Sequence, residues 1–206
     1  MRGTVTLWDG SVIICLARGS GVVRRKGSGE QELVRFFSRA GRLKSEKRRG
    51  WLKKLGMAHP ESVADHSYRT ALMAMVLSDA RGLDTAKAVR LALLHDLPEA
   101  LVGDAMPNER SGASKEKLET KAMEELLRGL APKVRSLYRE AWREFLAGDT
   151  EEARLVRQLD KLEMAIQAWE YVKESSDPAV ARAFLETAKK HVNDAELLEL
   201  LRQVEF

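Results

Sequence analysis

Residues 85–99 read TAKAVRLALLHDLPE, and this stretch decides the fold class. Its apolar side chains recur at spacings of three and four residues, which is the repeat of one face of an α-helix. The pattern predicts a helix that begins near Thr85, its expected N-cap, and leads directly into His95 and Asp96. Pro98 then ends the helix or redirects the chain. The expected buried face consists of Ala88, Val89, Leu91, Ala92 and Leu94.

The His95-Asp96 pair is informative because the apolar run before it places both side chains at the buried end of a core helix. An ionised carboxylate in such a place is costly unless a partner compensates its charge. The pair therefore requires either a cation or a hydrogen bond between its own members. Imidazole nitrogen and carboxylate oxygen suit Mn, Fe, Co, Ni or Zn. The dipeptide alone leaves a metal site and a hydrogen-bonded core pair as alternatives.

Helical periodicity continues on both sides of this stretch. An amphipathic helix is predicted from Glu30 onward, and further helices are predicted over residues 64–80, 115–130, 132–147, 151–174, 178–191 and 195–204. The helix over 64–80 is expected to bury Ala71, Leu72, Met75, Val76 and Ala80. The segment 151–174 has the most regular apolar stripe, formed by Leu155, Leu159, Leu162, Ile166 and Trp169. The predicted class is all-α.

Residues 1–29 differ from this pattern. Two segments rich in Val, Ile, Thr and Trp, residues 4–8 and 11–16, flank an Asp-Gly pair that is typical of a two-residue hairpin turn. A stretch rich in Gly, Ser and Arg follows and is typical of a linker. The sequence thus predicts an N-terminal extension with a small β-hairpin over residues 1–29, and one helical domain over residues 30–206.

Composition excludes several classes of protein. Hydrophobic residues make up 44% of the 206 residues and charged residues 32%, which is typical of one folded domain and not of a disordered chain. The single cysteine, Cys15, cannot form an internal disulfide and fits a reducing compartment. No apolar run reaches the roughly 20 residues that span a bilayer. We therefore expect a cytoplasmic protein that does not contact membranes.

Charge is distributed unevenly along the chain. Residues 1–50 contain 12 Lys and Arg against 4 Asp and Glu, a net charge of +8, whereas residues 51–206 contain 23 against 27, a net charge of −4. A basic segment of this kind can meet phosphates, nucleic acid or an acidic partner. A solvated basic arm is the simpler explanation, so nucleic-acid binding is not expected.

Asp160 interrupts the flank of the most regular apolar stripe. A carboxylate there requires a partner, and a neighbouring Lys or Arg in solvent would be sufficient. Among the four histidines, His66 also adjoins an aspartate, Asp65. His59 and His191, in a predicted loop and near a helix end, are expected at the surface.

Five short blocks occur in the order and at the spacings of a known family. They are RRGW at 48–51, ESVADHS at 61–67, HDLPE at 95–99, VGD at 102–104 and QLDK at 158–161. Together they resemble the signature H…HD…D of the HD superfamily of metal-dependent phosphohydrolases, over about residues 30–175. More narrowly, they are similar to the branch that contains human HD-domain-containing protein 2 and the bacterial 5′-deoxynucleotidase.

This resemblance implies a helical HD-domain bundle that binds one divalent metal ion, with Co, Mn, Mg, Fe, Ni and Zn as candidates. The implied ligands are His66, His95, Asp96 and Asp160. Water and a substrate phosphate would occupy the other coordination positions, and the ion would make the water nucleophilic near neutral pH.

The resemblance also implies roles for four further residues. Glu99 matches the family's catalytic glutamate, and Asp104 matches an aspartate close to the substrate, although Asp104 would also suit an ordinary turn. Arg48 and Trp51 match a substrate-contacting Arg and Trp, because a guanidinium suits a phosphate and an indole suits stacking. Two alternatives stay open: Arg49 could replace Arg48, and Trp51 could serve core packing alone.

The implied function is hydrolysis of nucleoside 5′-monophosphates, deoxynucleotides above all, to nucleoside and phosphate by a homodimer. One alternative keeps the site and changes the substrate to a phosphodiester or a pyrophosphate. Alarmone hydrolases of the superfamily carry Glu-Asp after the HD pair, whereas Ala100 follows Glu99 here. Another alternative is a nucleic-acid- or protein-binding module with a vestigial metal site, motivated by the basic segment 1–50.

Overall fold

The computed structural model describes residues 5–8, 11–14, 29–57, 59–104, 112–174 and 178–204. Within these ranges helices dominate, and the predicted all-α class is confirmed. The helices are α1 (Gly29–Ala40), which continues into a 3₁₀ turn (Gly41–Lys44), α2 (Arg49–Leu55), α3 (Val63–Arg81), α4 (Thr85–Leu94), α5 (Glu99–Val102), α6 (Gly112–Leu127), α7 (Pro132–Ala147), α8 (Glu151–Glu174), α9 (Pro178–His191) and α10 (Ala195–Arg202).

Two short strands precede the helices. β1 (Val5–Trp8) and β2 (Ser11–Ile14) pair antiparallel with Trp8 opposite Ser11, where the sequence predicts a hairpin. The predicted turn at residues 9–10, Cys15 and most of the predicted linker lie outside the described residues. The domain boundary at residue 29 stays a prediction. No helix in the described ranges combines the length and apolar character needed to cross a membrane.

α8 is the central helix of the bundle, since α3, α4, α7, α9 and α10 all contact it. Its predicted stripe lies in the core: Leu155, Leu159 and Leu162 are at most 2% exposed. Ile166 and Trp169 are partly buried against the same core. Because neighbours cover α8 on several sides, polar side chains in the middle of this helix also lie in the interior.

The buried face of α3 differs from the predicted one. Ala71 is buried, but Leu72, Met75 and Val76 are 42%, 40% and 55% exposed, and Ala80 is exposed as well. The interior face carries mainly small or polar side chains: Val63, His66, Ser67, Thr70, Ala71, Ala74 and Ser78. Small side chains let α3 approach α4 and α8 closely in a densely packed interior. The prediction was wrong because it weighted hydrophobicity over size.

Aspartates cap two helices. Asp84, and not the predicted Thr85, is the N-cap of α4, because its carboxylate accepts a hydrogen bond from the backbone N–H of Lys87 at 2.9 Å. Asp194 caps α10 by accepting two backbone N–H groups of its first turn, each at 3.1 Å. The same carboxylate binds the guanidinium of Arg81 at 2.9 Å. Asp194 therefore ties the start of α10 to the end of α3.

Replacing Asp194 with alanine is expected to lower the free energy of unfolding by about 1–2 kcal/mol near neutral pH, because a helix cap is lost. Although burial raises the pKa of Asp194, the hydrogen bonds from Arg81 and from the backbone of α10 outweigh it and lower that pKa. A depressed native pKa stabilises the fold above the ordinary pKa of aspartate, and this contribution is lost as the pH falls through the native pKa. The loss should therefore shrink below about pH 4.

Urea unfolding of wild type and Asp194→Ala at several pH values measures this effect. The control is Asp149→Ala at an exposed loop position, which should stay within about 0.5 kcal/mol of wild type. A loss of equal size at pH 3 and pH 7 would contradict the role given to the carboxylate charge.

Candidate metal centre and active site

Four of the predicted site residues converge inside the bundle. Nε2 of His66 lies 3.3 Å from Nε2 of His95 and 3.3 Å from Oδ1 of Asp160. Oδ2 of Asp96 lies 3.6 Å from the same His66 atom and 3.2 Å from Nε2 of His95. The ligand atoms of His66, His95 and Asp96 therefore all lie within 4.8 Å of one another, and Asp160 joins this group through its contact with His66.

His66 is positioned by the cap of α3. The hydroxyl of Ser62 accepts a hydrogen bond from the backbone N–H of Asp65 at 3.2 Å, and the carboxylate of Asp65 accepts the backbone N–H of Ser62 at 2.8 Å. This reciprocal capping box fixes the first turn of the helix, in which His66 lies. The aspartate beside His66 is thus a capping residue. Part of the ESVADHS block is explained by helix geometry.

His95, Asp96 and Asp160 come from two further elements. His95 follows the last residue of α4, and Asp96 lies in the turn that leads to α5. Nδ1 of His95 donates to the backbone carbonyl of Ala92 at 2.6 Å, which leaves its Nε2 to face the cluster. Asp160 extends from the middle of α8. Three packed segments of the fold therefore determine the spacing of the four side chains.

His66, His95 and Asp96 are spaced as ligands of a divalent cation, and Asp160 lies beside His66. Bonds of about 2.1 Å at angles between about 90° and 110° separate neighbouring ligand atoms by about 3.0–3.4 Å. The observed separations are 3.2–3.6 Å among His66, His95 and Asp96, and 3.3 Å between His66 and Asp160. The imidazole and carboxylate donors suit several transition metals and do not select one.

Neighbouring cations keep the two carboxylates of the cluster ionised. Burial raises the pKa of Asp96, but His95, Arg48 and His66 outweigh it and hold that pKa well below its usual range. Asp160 behaves alike, since Lys161 and the two histidines overcome the effect of burial on its pKa. Both carboxylates are therefore charged at neutral pH, as metal ligands must be.

Arg48 reaches the cluster, whereas Arg49 contacts Asp104. The chain around Lys47 forms a short antiparallel bridge with Ser62, at the start of α3. This pairing lets Nη1 of Arg48 donate to Oδ2 of Asp96 at 3.1 Å, with the Arg48 side chain 12% exposed. Arg49 bonds Asp104 through its backbone N–H at 2.6 Å and through Nη1 at 3.3 Å. Of the two arginines, Arg48 has the geometry to meet an anion at the cluster.

Glu99 is buried at 3% exposure, although it lies at the start of a helix. Its Oε2 has no hydrogen-bond partner among the described residues. Burial raises the pKa of Glu99, and the negative charges of Asp96 and Asp104 raise it further, against the effects of Arg48 and Lys115. The pKa of Glu99 therefore lies well above the ordinary value, as suits a carboxyl group that carries a proton.

Both the carboxylate and the backbone N–H of Asp104 form hydrogen bonds within the protein. Its Oδ2 accepts the first backbone N–H of α2, from Arg49, and its own N–H donates to Glu46 Oε1 at 3.2 Å. Gly103 precedes it with a φ of 74°, a conformation that glycine adopts without strain. These contacts favour the turn-and-cap alternative for this residue. Its charge nevertheless acts on Glu99.

Trp51 lies in a small cluster of buried side chains with Ala168, Tyr171 and Phe184 and is 1% exposed. Its ring lies 4.0 Å from Phe184 and meets Tyr171 edge-on at 5.3 Å, measured between ring centroids. Its indole N–H donates to Oε1 of Glu61 at 2.8 Å. The apolar and polar parts of the indole are all engaged by the protein. The structure therefore favours core packing over stacking on a substrate.

Glu163 is a buried residue of the site that the sequence interpretation missed. It lies one turn after Asp160 on α8, is 0% exposed, and forms a very short hydrogen bond with Nδ1 of His66. Its other oxygen accepts from Nε of Arg69 at 2.9 Å. Burial raises the pKa of Glu163, but His66 and Arg69 lower it below its usual value. The signal was present in the sequence as a charged residue among the apolar positions of α8.

A cleft of about 430 Å³ opens beside Asp160. Its lining includes three cationic side chains, Arg154, Arg157 and Lys161, and two acidic ones, Glu116 and Asp160, so cations are in slight excess. Lys161 also binds Oδ2 of Asp160 at 2.8 Å. A cleft with this charge can receive an anion next to the cluster. His191 and His59 are exposed, as expected from the sequence.

Comparison with known proteins agrees with these features. The family model for the HD domain matches residues 40–200. The human protein named 5′-deoxynucleotidase HDDC2 is 36% identical over 180 residues, which cover 87% of this chain and 87% of that protein.

Two solved structures have the same fold. A conserved hypothetical protein from Pyrococcus furiosus superimposes with a TM-score of 0.68 at 34% identity, covering 83% of this chain and 98% of that one. A predicted metal-dependent phosphohydrolase from Magnetospirillum magnetotacticum MS-1 gives a TM-score of 0.66 at 25% identity, covering 86% of this chain and 91% of that one. The chain belongs to the HD-domain family.

Proposed function

We propose that the protein is a metal-dependent 5′-nucleotidase that hydrolyses nucleoside 5′-monophosphates, deoxynucleotides above all, to nucleoside and phosphate. The observation that carries this proposal is the convergence of two imidazole nitrogens and two carboxylates beside the buried Glu99. The name of the human relative, 5′-deoxynucleotidase, supports the substrate class.

His66, His95, Asp96 and Asp160 would hold one divalent ion, with Co, Mn, Mg, Fe, Ni and Zn as candidates. A bound ion of this kind lowers the pKa of its water and polarises a phosphoryl oxygen. The surrounding protein keeps the ligands in the state that binds the ion. Asp96 and Asp160 remain ionised because neighbouring cations hold their pKa values low. His95 presents Nε2 because Ala92 engages its Nδ1.

Glu99 is assigned the proton transfers of the reaction. Burial and the charges of Asp96 and Asp104 raise its pKa, which favours the proton-bearing form, and its Oε2 has no partner among the described residues. A carboxyl with these properties can deliver a proton to the leaving nucleoside oxygen and take one from the attacking water. Asp104 assists by raising the pKa of Glu99, whatever contact it makes with substrate.

Binding of the phosphate is assigned to Arg48, whose guanidinium already lies at 3.1 Å from Asp96. A guanidinium binds a phosphoryl group by charge-assisted hydrogen bonds. The cationic cleft beside Asp160 gives a second positive surface toward which a nucleotide is drawn. Trp51 is assigned the role of holding Arg48 in position through α2.

Replacing Glu99 with glutamine should lower kcat for phosphate release from deoxynucleoside monophosphates by about 10²–10⁴-fold, since a positioned proton donor is lost. Bound metal should stay unchanged, because Glu99 is not a proposed ligand. In contrast, Asp96→Asn should lose both metal and activity. The exposed Glu140→Gln on α7 is the control and should behave like wild type.

The assay measures inorganic phosphate released by the purified full chain with added Co²⁺ or Mn²⁺. Failure to release phosphate from every deoxynucleoside monophosphate would refute the proposal. Hydrolysis of a phosphodiester or a pyrophosphate, detected by chromatography of the products because it need not release inorganic phosphate, would show that the site acts on one of these alternative substrates.

Trp51→Ala is expected to destabilise the protein by about 3–5 kcal/mol, because the indole fills a buried cluster. Trp51→Phe keeps most of that volume and should retain both the fold and the KM for substrate. Chemical unfolding and steady-state kinetics measure the two effects. If Trp51→Phe raises KM strongly at unchanged stability, Trp51 contacts the substrate and the packing assignment is wrong.

We further propose that the protein acts in the cytoplasm and as a homodimer. The single cysteine fits a reducing compartment. Support for a dimer comes from the exposed apolar face of α3, which carries Tyr68 at 70% exposure together with Leu72, Met75 and Val76. Exposed apolar faces of this kind are typical of protein interaction sites.

Light scattering coupled to size exclusion should give a mass of twice 23.1 kDa for wild type. Val76→Asp should shift the protein to the monomer, because a charge would be buried between the copies. The matched control is Val134→Asp, at an exposed position of α7. A monomeric wild type, or an unchanged mass for Val76→Asp, would contradict a dimer formed through α3.

A further inference from the structure

We infer that Glu163, held by Arg69, is a positioning residue that keeps Nε2 of His66 directed at the other ligands and so sets the metal affinity of the site. This inference rests on the metal site of the proposed function. It adds a second layer of residues to that site, supplied by α8 and by the outer side of α3.

The contact between Glu163 and His66 dictates which nitrogen carries the proton. An ionised carboxylate only accepts hydrogen bonds, so Nδ1 of His66 must be the donor to Oε2 of Glu163. Nε2 is then the nitrogen that points at His95 and Asp160, at 3.3 Å from each facing atom. In neutral imidazole this arrangement leaves the lone pair on Nε2, where a metal ion would bind.

Arg69 makes the buried charge of Glu163 tolerable. A carboxylate at 0% exposure requires a close counter-charge, and Arg69 supplies it through Nε at 2.9 Å and Nη2 at 2.8 Å. The guanidinium is itself held by Gln167 Oε1 at 2.6 Å and Glu170 Oε2 at 2.7 Å. Three side chains of α8 thus clamp one arginine of α3, and the arginine orients the carboxylate toward the histidine.

His66 and His95 are held in different ways, although both present Nε2. A neutral backbone carbonyl, that of Ala92, engages Nδ1 of His95. A charged carboxylate engages Nδ1 of His66, which makes this imidazole the stronger electron donor of the two. We therefore expect Glu163, acting through His66, to contribute more to the metal affinity than the carbonyl of Ala92 contributes through His95.

Glu61 is a matched control for Glu163. Its carboxylate, that of Glu163 and a nitrogen of His66 all lie within 4.8 Å of one another. The hydrogen bond of Glu61 is nevertheless with the indole of Trp51, whose N–H donates to Oε1 at 2.8 Å. Glu61→Gln therefore changes a nearby carboxyl group and leaves the hydrogen bond of His66 in place.

The test compares Glu163→Gln, Glu61→Gln and wild type in Mn²⁺ and Co²⁺ titration calorimetry. A glutamine has one acceptor and one donor group, so it cannot accept from both Arg69 and His66 as a carboxylate does. Glu163→Gln should weaken binding of both ions by about 10–100-fold. Glu61→Gln should bind them like wild type.

A second readout is independent of metal and of activity. Proton spectra of the metal-free protein, labelled with ¹⁵N in histidine, should show two strongly deshielded Nδ1 protons, those of His66 and His95. Glu163→Gln should shift or lose the His66 signal and keep the His95 signal, which serves as internal reference. An unchanged His66 signal together with unchanged ion affinity would overturn the inference, as would an equal loss of affinity in Glu61→Gln.

Arg69→Gln covers the case in which Glu163→Gln does not fold, because the Arg69 side chain is 25% exposed and on the outer side of the bundle. Here the contact with His66 can persist, and the loss of ion affinity should be smaller than for Glu163→Gln but measurable. Affinity equal to wild type in a folded Arg69→Gln would remove Arg69 from the inference. Thermal unfolding of each variant identifies those that fold.

These results separate the inference from the proposed function. Weakened ion binding in Glu163→Gln, with a wild type that hydrolyses no nucleotide, supports the positioning role and refutes the substrate. Unchanged ion binding in Glu163→Gln, with a wild type that hydrolyses nucleotides, supports the proposed substrate and refutes the positioning role. A wild type that binds neither ion overturns the inference together with the metal site.

Discussion

The structure depends on one constraint, which is that ionised carboxylates in a water-poor interior must each meet a counter-charge. Asp96, Asp160 and Glu163 are buried or nearly so, and each has a cation at hydrogen-bonding distance. Those cations are Arg48, Lys161 and Arg69, and they come from three different segments of the chain. Two of these pairs, Arg48 with Asp96 and Arg69 with Glu163, join separate segments of the chain, whereas Lys161 adjoins Asp160 on the same helix.

The arrangement of α3 follows from the same constraint. His66 must reach both α4 and α8, so the helix that carries it has to lie close to both. Its small interior side chains, such as Ala74 and Ser78, permit that approach, while the large apolar residues are turned outward. Bulky residues on the interior face would fill the space in which the ligand atoms meet. The site thus determines the packing of α3 as much as the packing positions the site.

Much of this fold could be predicted from helical periodicity. The bounds predicted for residues 132–147, 151–174 and 178–191 agree with those of α7, α8 and α9, because Pro, Gly and Asp mark their ends. The inward face of α3 could not be predicted, since periodicity identifies an apolar stripe but not which of two competing stripes faces the core. The buried state of Trp51 depends on Phe184, which lies far away in the sequence.

The candidate site was predictable only in part, for a related reason. The resemblance of the ordered motifs to the HD family groups His66, His95, Asp96 and Asp160. Glu163 belongs to no such block, and its partner Arg69 is on another helix, so only the fold shows their contact. An isolated acid on an apolar helix face was the available signal. It indicates that a partner exists without identifying which residue the partner is.

Asp96 and Glu99 show that the electrostatic environment differs between two neighbouring carboxyl groups. They are three residues apart, both carry a carboxyl group and both are shielded from water, yet their pKa values are displaced in opposite directions. His95 and Arg48 lie next to the carboxylate of Asp96 and stabilise its negative charge. Burial raises the pKa of Glu99, and the charges of Asp96 and Asp104 raise it further. Because the charge of Asp96 helps to raise the pKa of Glu99, the proposed ligand and the proposed proton carrier depend on one electrostatic arrangement.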